Sequence, residues 1–226
     1  MHATMHASAT LPHMPLKTTQ TAAERAYTHT KHRIIRGDLA GGDRLSEGQI
    51  CGELQLSRTP VHEAFLRLEA ERLIRLSSRQ GATVSPIPPS EAADVLEMRD
   101  ALERTAAVRV AARRPDPVEV AAALSGSLRR QEAAMAVGDV GAFVEADADF
   151  HAAVIGLAGN PIAVHFFDLL RDRQLRLAHV VLTSTDLAQA EALGDHRELA
   201  ARLGAHDAAG YGAVLDRHLA RHRGLL

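Results

Sequence analysis

The stretch that most restricts this chain runs from Ile50 to Leu76, ICGELQLSRTPVHEAFLRLEAERLIRL, which reads as two short helices joined by a tight turn. In the second helix Val61, Ala64, Phe65 and Leu68 recur at helical spacing, with Ser57 placed to cap it and Thr59 and Pro60 suited to its first turn. One stripe is apolar. Away from it lie Ser57, Arg58, Thr59 and His62, side chains that donate hydrogen bonds, gathered at the end where a recognition helix meets base edges and phosphates. Ile50, Glu53 and Leu54 fit a supporting helix beneath it, with Cys51 as a small side chain. Leu73, Ile74 and Leu76 then lead into SSRQGATV, which predicts a small hairpin or wing with Arg79, Gln80 and Gly81 at its tip. Gly81 there would let the backbone approach a phosphate or a minor-groove edge.

A helix-turn-helix pattern alone is weak, because helix pairs in enzymes share it; the wing adds to it. Together RGDLAGGDRLSEGQICGELQLSRTPVHEAFLRLEAERLIRLSSRQGATV resembles the winged helix-turn-helix of GntR-type bacterial transcription regulators, over about seventy residues. Three positions depart from that family's pattern: His62 stands where Arg is usual, Arg72 where Gly is usual, and Gly41 where a turn proline is usual. A neutral imidazole offers one donor where Arg offers five, so His62 points to a weaker or pH-sensitive contact and an altered operator preference. Arg72 implies that the second helix need not end on glycine, with Leu73 still turning inward.

At 226 residues the chain has room for two small domains. The formal charge of -2 does not announce a nucleic-acid binder, but its distribution is uneven. Lys17 to Ser85 carries eleven basic and eight acidic residues, and the remainder fifteen basic and twenty acidic. The basic half is the one with the wing, which supports duplex contact only alongside the motif. One cysteine forms no internal disulfide, and no apolar run spans a membrane, so cytoplasm is the expected compartment. The opening MHATMHASATLPHMP lacks the pattern of a secretory signal, and residues 1–16 read as a disordered arm rather than a metal-binding tract despite three histidines.

The remaining boundaries follow from breakers and caps. Ala23, Tyr27, Thr30 and Ile34 predict a helix over 18–35 that carries Arg25, Lys31, Arg33 and Arg36, a basic set that either touches phosphates or simply faces solvent. A winged helix-turn-helix of three helices plus a hairpin is expected over 17–85. A proline-rich linker follows at 86–90, with Ser90 able to cap the next helix. Beyond it the chain reads as helices at about 91–113, 117–137, 139–157, 161–182, 187–203 and 207–223, an antiparallel bundle over 91–226 with no strand pattern. The fold class is therefore mainly α.

Within the bundle Asp147 and His151 stand four apart on one helical face, each with an atom that a divalent metal accepts. By itself the pair fits an ordinary surface salt link. His196 and His218, twenty-two residues apart, fall on the last two helices, where antiparallel neighbours can bring them to one depth. EMRDALE, DADFHAAVIGLAGNP, DHRELAARL and AAGYGAVLDRHL are similar to the FCD ligand-binding domain of the FadR subgroup. That resemblance implies a divalent ion held by Asp147, His151, His196 and His218, with zinc first and nickel, manganese or iron as alternatives. It also places Arg99 toward the cavity, where its fork would hold a carboxylate; an outward pair with Glu103 is the other reading. His165, His179, His206 and His222 have no such support, and Asp207 beside His206 reads as a helix cap.

The resemblance implies a homodimeric regulator, a repressor by expectation, binding double-stranded operator DNA under the control of a small carboxylate, with no catalysis and no membrane partner. The competing class is a metal-dependent helical hydrolase. That reading lacks a His-Glu-x-x-His motif, a nucleophile elbow, a phosphate loop and a second carboxylate beside the ligands.

Overall fold

The computed structural model describes residues 20–77, 81–185 and 187–223. The expected arm at 1–16 and the wing-tip residues Arg79 and Gln80 lie outside that range. The first helix, α1 (Ala22–Ile35), starts where the Thr21 hydroxyl accepts the Glu24 N–H at 3.1 Å. Strand β1 (Arg44–Leu45) and helix α2 (Glu47–Leu54) follow, the latter capped by Ser46 and closed by Gln55 in a left-handed conformation. Helix α3 (Arg58–Ala70) is the recognition-helix segment, and strands β2 (Ile74–Ser77) and β3 (Gly81–Val84) form the wing.

The wing is larger than the expected hairpin. β3 lies between β1 and β2 in a three-stranded antiparallel sheet, with Ala82 opposite both Leu45 and Leu76. Two residues of β1 are too short a run to show alternation, so periodicity could not reveal that strand. Ser57 is the N-cap residue of α3, but its hydroxyl makes no capping hydrogen bond. At the other end of α3, Leu73 N–H bonds to Leu68 C=O at 2.9 Å and Arg72 N–H to Glu69 C=O at 2.8 Å, the paired bonds of a Schellman ending. Arg72 fills the left-handed position with φ of 59°, and Leu73 is buried, so the chain turns inward as expected. Ile34, Ile50, Val61, Phe65, Leu68, Ile74 and Val84 share one core.

The rest is helical: α4 (Pro89–Arg113), α5 (Pro117–Val137), α6 (Val140–Leu157), α7 (Pro161–Leu169), α8 (Arg171–Leu182), α9 (Ala188–Gly204) and α10 (Ala208–Arg223). Helix α4 starts at Pro89, whose fixed φ suits the first helical position, so Ser90 sits inside the first turn instead of capping it. The single helix expected over 161–182 is two, broken at Leu170. No Gly or Pro marks the break. Phe167 enters the main bundle core with Phe150, Val154 and Tyr211. Leu175, Ala178 and Leu182 enter a second core with Phe143, Val144 and Ile35. Asp207 caps α10 as expected, accepting the Gly210 N–H at 2.8 Å.

Ile34 and Ile35, adjacent on α1, thus point into different cores, which fastens the winged part to the bundle through α8. Lys31 Nζ bridges Glu71 at 2.8 Å and Asp172 at 2.7 Å, and Arg176 donates to the Ser85 carbonyl at 2.7 Å. Gly37, with φ of 78°, faces the His179 ring so closely that a Cβ there would collide with it. Lys31, Arg33 and Arg36 all pair with carboxylates, those of Glu71 and Asp172, Glu53, and Asp139. Three of the four basic side chains of that set are thus engaged within the protein, and Arg25 is exposed.

Candidate functional site

Two regions carry the residues expected to act. On α3 the apolar side is fully buried by Val61, Ala64, Phe65 and Leu68, which turns Arg58, Thr59 and His62 outward beside the exposed Ser57. Arg58 makes no ion pair among the described residues. His62 does: its Nδ1 lies 2.7 Å from Glu47 Oε1 on α2, with the imidazole more than half exposed. Gly81 is exposed with φ of 78°, and a Cβ on it would stand 2.8 Å from the Leu45 carbonyl oxygen. The glycine is thus explained by the approach of β1, a packing reason that the sequence did not reveal.

The second region lies inside the bundle. Asp147 and His151 from α6, His196 from α9 and His218 from α10 are all buried, and each offers a ligand atom within 4.8 Å of the others. His151 Nε2 lies 3.1 Å from His196 Nε2, and Asp147 Oδ1 lies 3.2 Å from His196 Nε2 and 4.0 Å from His151 Nε2. The outer nitrogen of each ring faces an acceptor. His151 Nδ1 meets Glu103 Oε2 at 2.9 Å, His196 Nδ1 meets Gln131 Oε1 at 2.7 Å, and His218 Nδ1 stands 3.5 Å from Asp195 Oδ2, at the edge of hydrogen-bonding range. Gln131 donates its own amide to the Ala146 carbonyl at 3.3 Å, which assigns its oxygen to the imidazole.

These partners assign the Nδ1–H tautomer to His151 and His196, whereas His218 Nδ1 makes no hydrogen bond among the described residues. With the proton on Nδ1, the Nε2 of His151 and of His196 presents a lone pair inward, the arrangement that orients imidazoles around a metal. Burial, reinforced by neighbouring positive charge, holds His151 and His196 well below the usual imidazole range. Burial also lowers His218, against the opposing pull of Asp195. The Asp147 carboxyl is pushed up to about 6, chiefly by burial. Three imidazole nitrogens and a carboxylate oxygen that lie within 4.8 Å of one another make a donor set that fits a divalent ion.

Arg99 from α4 is buried and combines both sequence readings. Its Nε donates to Glu103 Oε1 at 2.8 Å, but that pair points inward, and its NH2 reaches His151 Nε2 and, at 3.1 Å, His218 Nε2. Tyr211 OH donates to Glu103 Oε2 at 2.7 Å. Sequence reasoning missed Gln131, Asp195 and Tyr211 in this network; Asp195 directly precedes His196, the one local hint. His222, which no motif singled out, is buried against His218, its Nδ1 3.2 Å from the His218 carbonyl. A cavity of about 250 Å³ lies beside both rings, lined also by Val181, Leu182, Ala192 and Ser184.

A winged helix-turn-helix placed ahead of a helical bundle with a buried polar centre defines a DNA-binding transcription regulator. Residues 22–84 match the gntR family of bacterial regulatory proteins and residues 94–221 match the FCD domain. The chain belongs to the GntR family, in its FCD-containing FadR subgroup, and is a regulator and not an enzyme. It is 31% identical over 136 residues to an uncharacterized HTH-type transcriptional regulator from the TAR-I ttuE-ttuC' intergenic region of Agrobacterium vitis, covering 60% of this chain and 80% of that one. It is 29% identical over 131 residues to the gluconate operon transcriptional repressor of Bacillus licheniformis, covering 58% and 53% of the two chains. A GntR-type regulator from Rhodococcus sp. RHA1 shares the fold with a TM-score of 0.72 at 24% identity, over 89% of this chain and 95% of that one. Among the described residues no helix is long and apolar enough to cross a membrane.

Proposed function

We propose that this regulator is a homodimeric repressor whose operator affinity is set by a small organic acid, bound at a divalent metal held by Asp147, His151, His196 and His218. The observation that carries this reading is the set of three buried imidazoles with Nε2 turned inward and Nδ1 facing Glu103, Gln131 and Asp195, closed by the Asp147 carboxylate. Zinc suits three nitrogens and one oxygen; nickel, manganese and iron are the alternatives. An ion held here in five- or sixfold coordination would leave a position for a carboxylate oxygen. The cavity beside His218 and His222, which Arg221 and Glu191 also line, offers room for the acid's body; Arg99 does not line it but lies 3.1 Å from His218 Nε2.

In this reading residues 17–85 read DNA, 91–226 sense the acid, and 86–90 join them. Ser57, Arg58, Thr59, His62 and Gly81, with Arg79 and Gln80 outside the described residues, form the DNA-contacting set. Exposure of the first four at the start of α3 supports it. Two copies would place two recognition helices about one helical turn apart on a palindromic operator. Helix α8 links the halves, since it touches α1 through Lys31–Asp172 and lines the cavity through Val181 and Leu182. An acid that binds one arrangement of this link more tightly than another shifts operator affinity by that difference.

The test is metal analysis of purified protein, followed by operator titrations with and without small carboxylates, in wild type and His196→Ala. Stoichiometric metal and a carboxylate response in wild type, both lost in the variant, support the reading; a metal-free wild type with an intact response overturns it.

A further inference from the structure

The imidazole cluster has a cation of its own. Arg99 NH2 contacts His151 Nε2 and lies 3.1 Å from His218 Nε2, while its Nε is tethered to Glu103 at 2.8 Å. The whole side chain is buried, and Glu103 is held from three sides, by Arg99, His151 Nδ1 and Tyr211 OH. Arg99 Nε is therefore anchored, and its NH2 end is the part that faces the imidazoles. A neutral imidazole protonated on Nδ1 has one lone pair, at Nε2. That lone pair accepts a hydrogen bond from Arg99 or it coordinates a metal; it does not do both.

We infer that Arg99 is a built-in competitor of the divalent ion for the Nε2 atoms of His151 and His218, which weakens metal binding until an anion engages the guanidinium. This rests on the metal reading of Asp147, His151, His196 and His218 and adds a rule to it. Metal and carboxylate bind cooperatively, because the anion takes the hydrogen bonds that Arg99 otherwise makes to the imidazoles and offsets the repulsion between guanidinium and metal. The competition also sets the ligand class: an anion able to accept N–H bonds, for which a neutral sugar or an amine is no substitute.

The experiment measures Zn²⁺ affinity of the full chain against a chromophoric competitor, for wild type, Arg99→Met and Arg99→Gln. Arg99→Gln is the fallback if loss of the charge facing Glu103 keeps Arg99→Met from folding, with helical circular dichroism as the check. Both neutral variants are expected to bind Zn²⁺ at least tenfold more tightly than wild type. Millimolar acetate in place of chloride is expected to tighten Zn²⁺ binding by wild type severalfold and to do much less to the variants. Equal or weaker binding by the folded variants overturns the inference and leaves the metal reading standing; no Zn²⁺ bound by any of the proteins overturns both. If neither variant folds, the acetate comparison on wild type decides, and unchanged affinity counts against Arg99.

Discussion

His151 Nε2 and His196 Nε2 lie 3.1 Å apart, each on a ring whose other nitrogen already faces an acceptor, Glu103 for one and Gln131 for the other. Acceptors brought this close make a site that gains from a cation. In metal-loaded protein, chelation should therefore lower thermal stability. At free metal about a hundredfold above Kd the linkage is worth roughly 2.7 kcal/mol. For a chain of this length that is about 5–10 °C in Tm. Differential scanning fluorimetry with and without a chelator measures it, and His196→Ala should show no chelator effect.

Arg58 projects from the first turn of α3 with no ion pair among the described residues, so its guanidinium is available to a base edge or phosphate. Arg58→Ala should weaken specific operator binding roughly tenfold to a hundredfold. Metal content and Tm should stay at wild-type values, because the side chain supports no core. Titrations of operator and unrelated DNA over a range of salt separate the two roles: loss of a base contact weakens the operator selectively, whereas loss of a phosphate contact weakens both and lowers the salt slope by about one.

Arg72 occupies the left-handed position of the α3 ending with φ of 59°, where a Cβ is strained. Arg72→Gly should relieve that strain and raise stability by about 1 kcal/mol, less a part returned to the unfolded chain's added freedom. Denaturant unfolding gives the sign. A lower midpoint in the glycine variant would show that the Arg72 side chain supplies more than its backbone costs.

The junction at α1 offers a mutation and a pH dependence. Ile35→Ala empties a place in the core shared with Phe143 and Leu175 and should cost about 2–5 kcal/mol. Burial raises the Glu71 carboxyl, but hydrogen bonds from Lys31 and Tyr27 outweigh it and hold the group below its ordinary value. Lys31 loses affinity for its proton by burial and regains more from Asp172 and Glu71, ending above its ordinary value. The clasp thus contributes fully between the ordinary pKa values of Glu and Lys. Its Glu71 share is lost as pH falls through the depressed carboxylate value, and its Lys31 share only as pH rises past the lysine range. Stability compared between wild type and Lys31→Met across acidic pH should show the difference narrowing as pH falls.

Much of the fold was legible because its signals are local. Val61, Ala64, Phe65 and Leu68 declare a buried helical face, and Asp147 and His151 stand one turn apart on any helix. What escaped was tertiary. The break at Leu170 carries no Gly or Pro, so nothing in the local sequence announces it. Gln131 and Asp195 became partners of His196 and His218 only through the crossing of α5, α9 and α10, which no spacing encodes. Gly81 suggested a close approach, but the neighbour is the Leu45 carbonyl of a strand too short to predict.

The central claim is that the buried polar centre of the bundle governs the grip of α3 on DNA. Its most direct test is operator affinity by fluorescence anisotropy, with metal-loaded wild type and His196→Ala each titrated with a panel of small carboxylates. At least one carboxylate is expected to shift the wild-type Kd by fivefold or more and to leave the variant's unchanged. An equal shift in both proteins, or none in wild type across the panel, would contradict the claim.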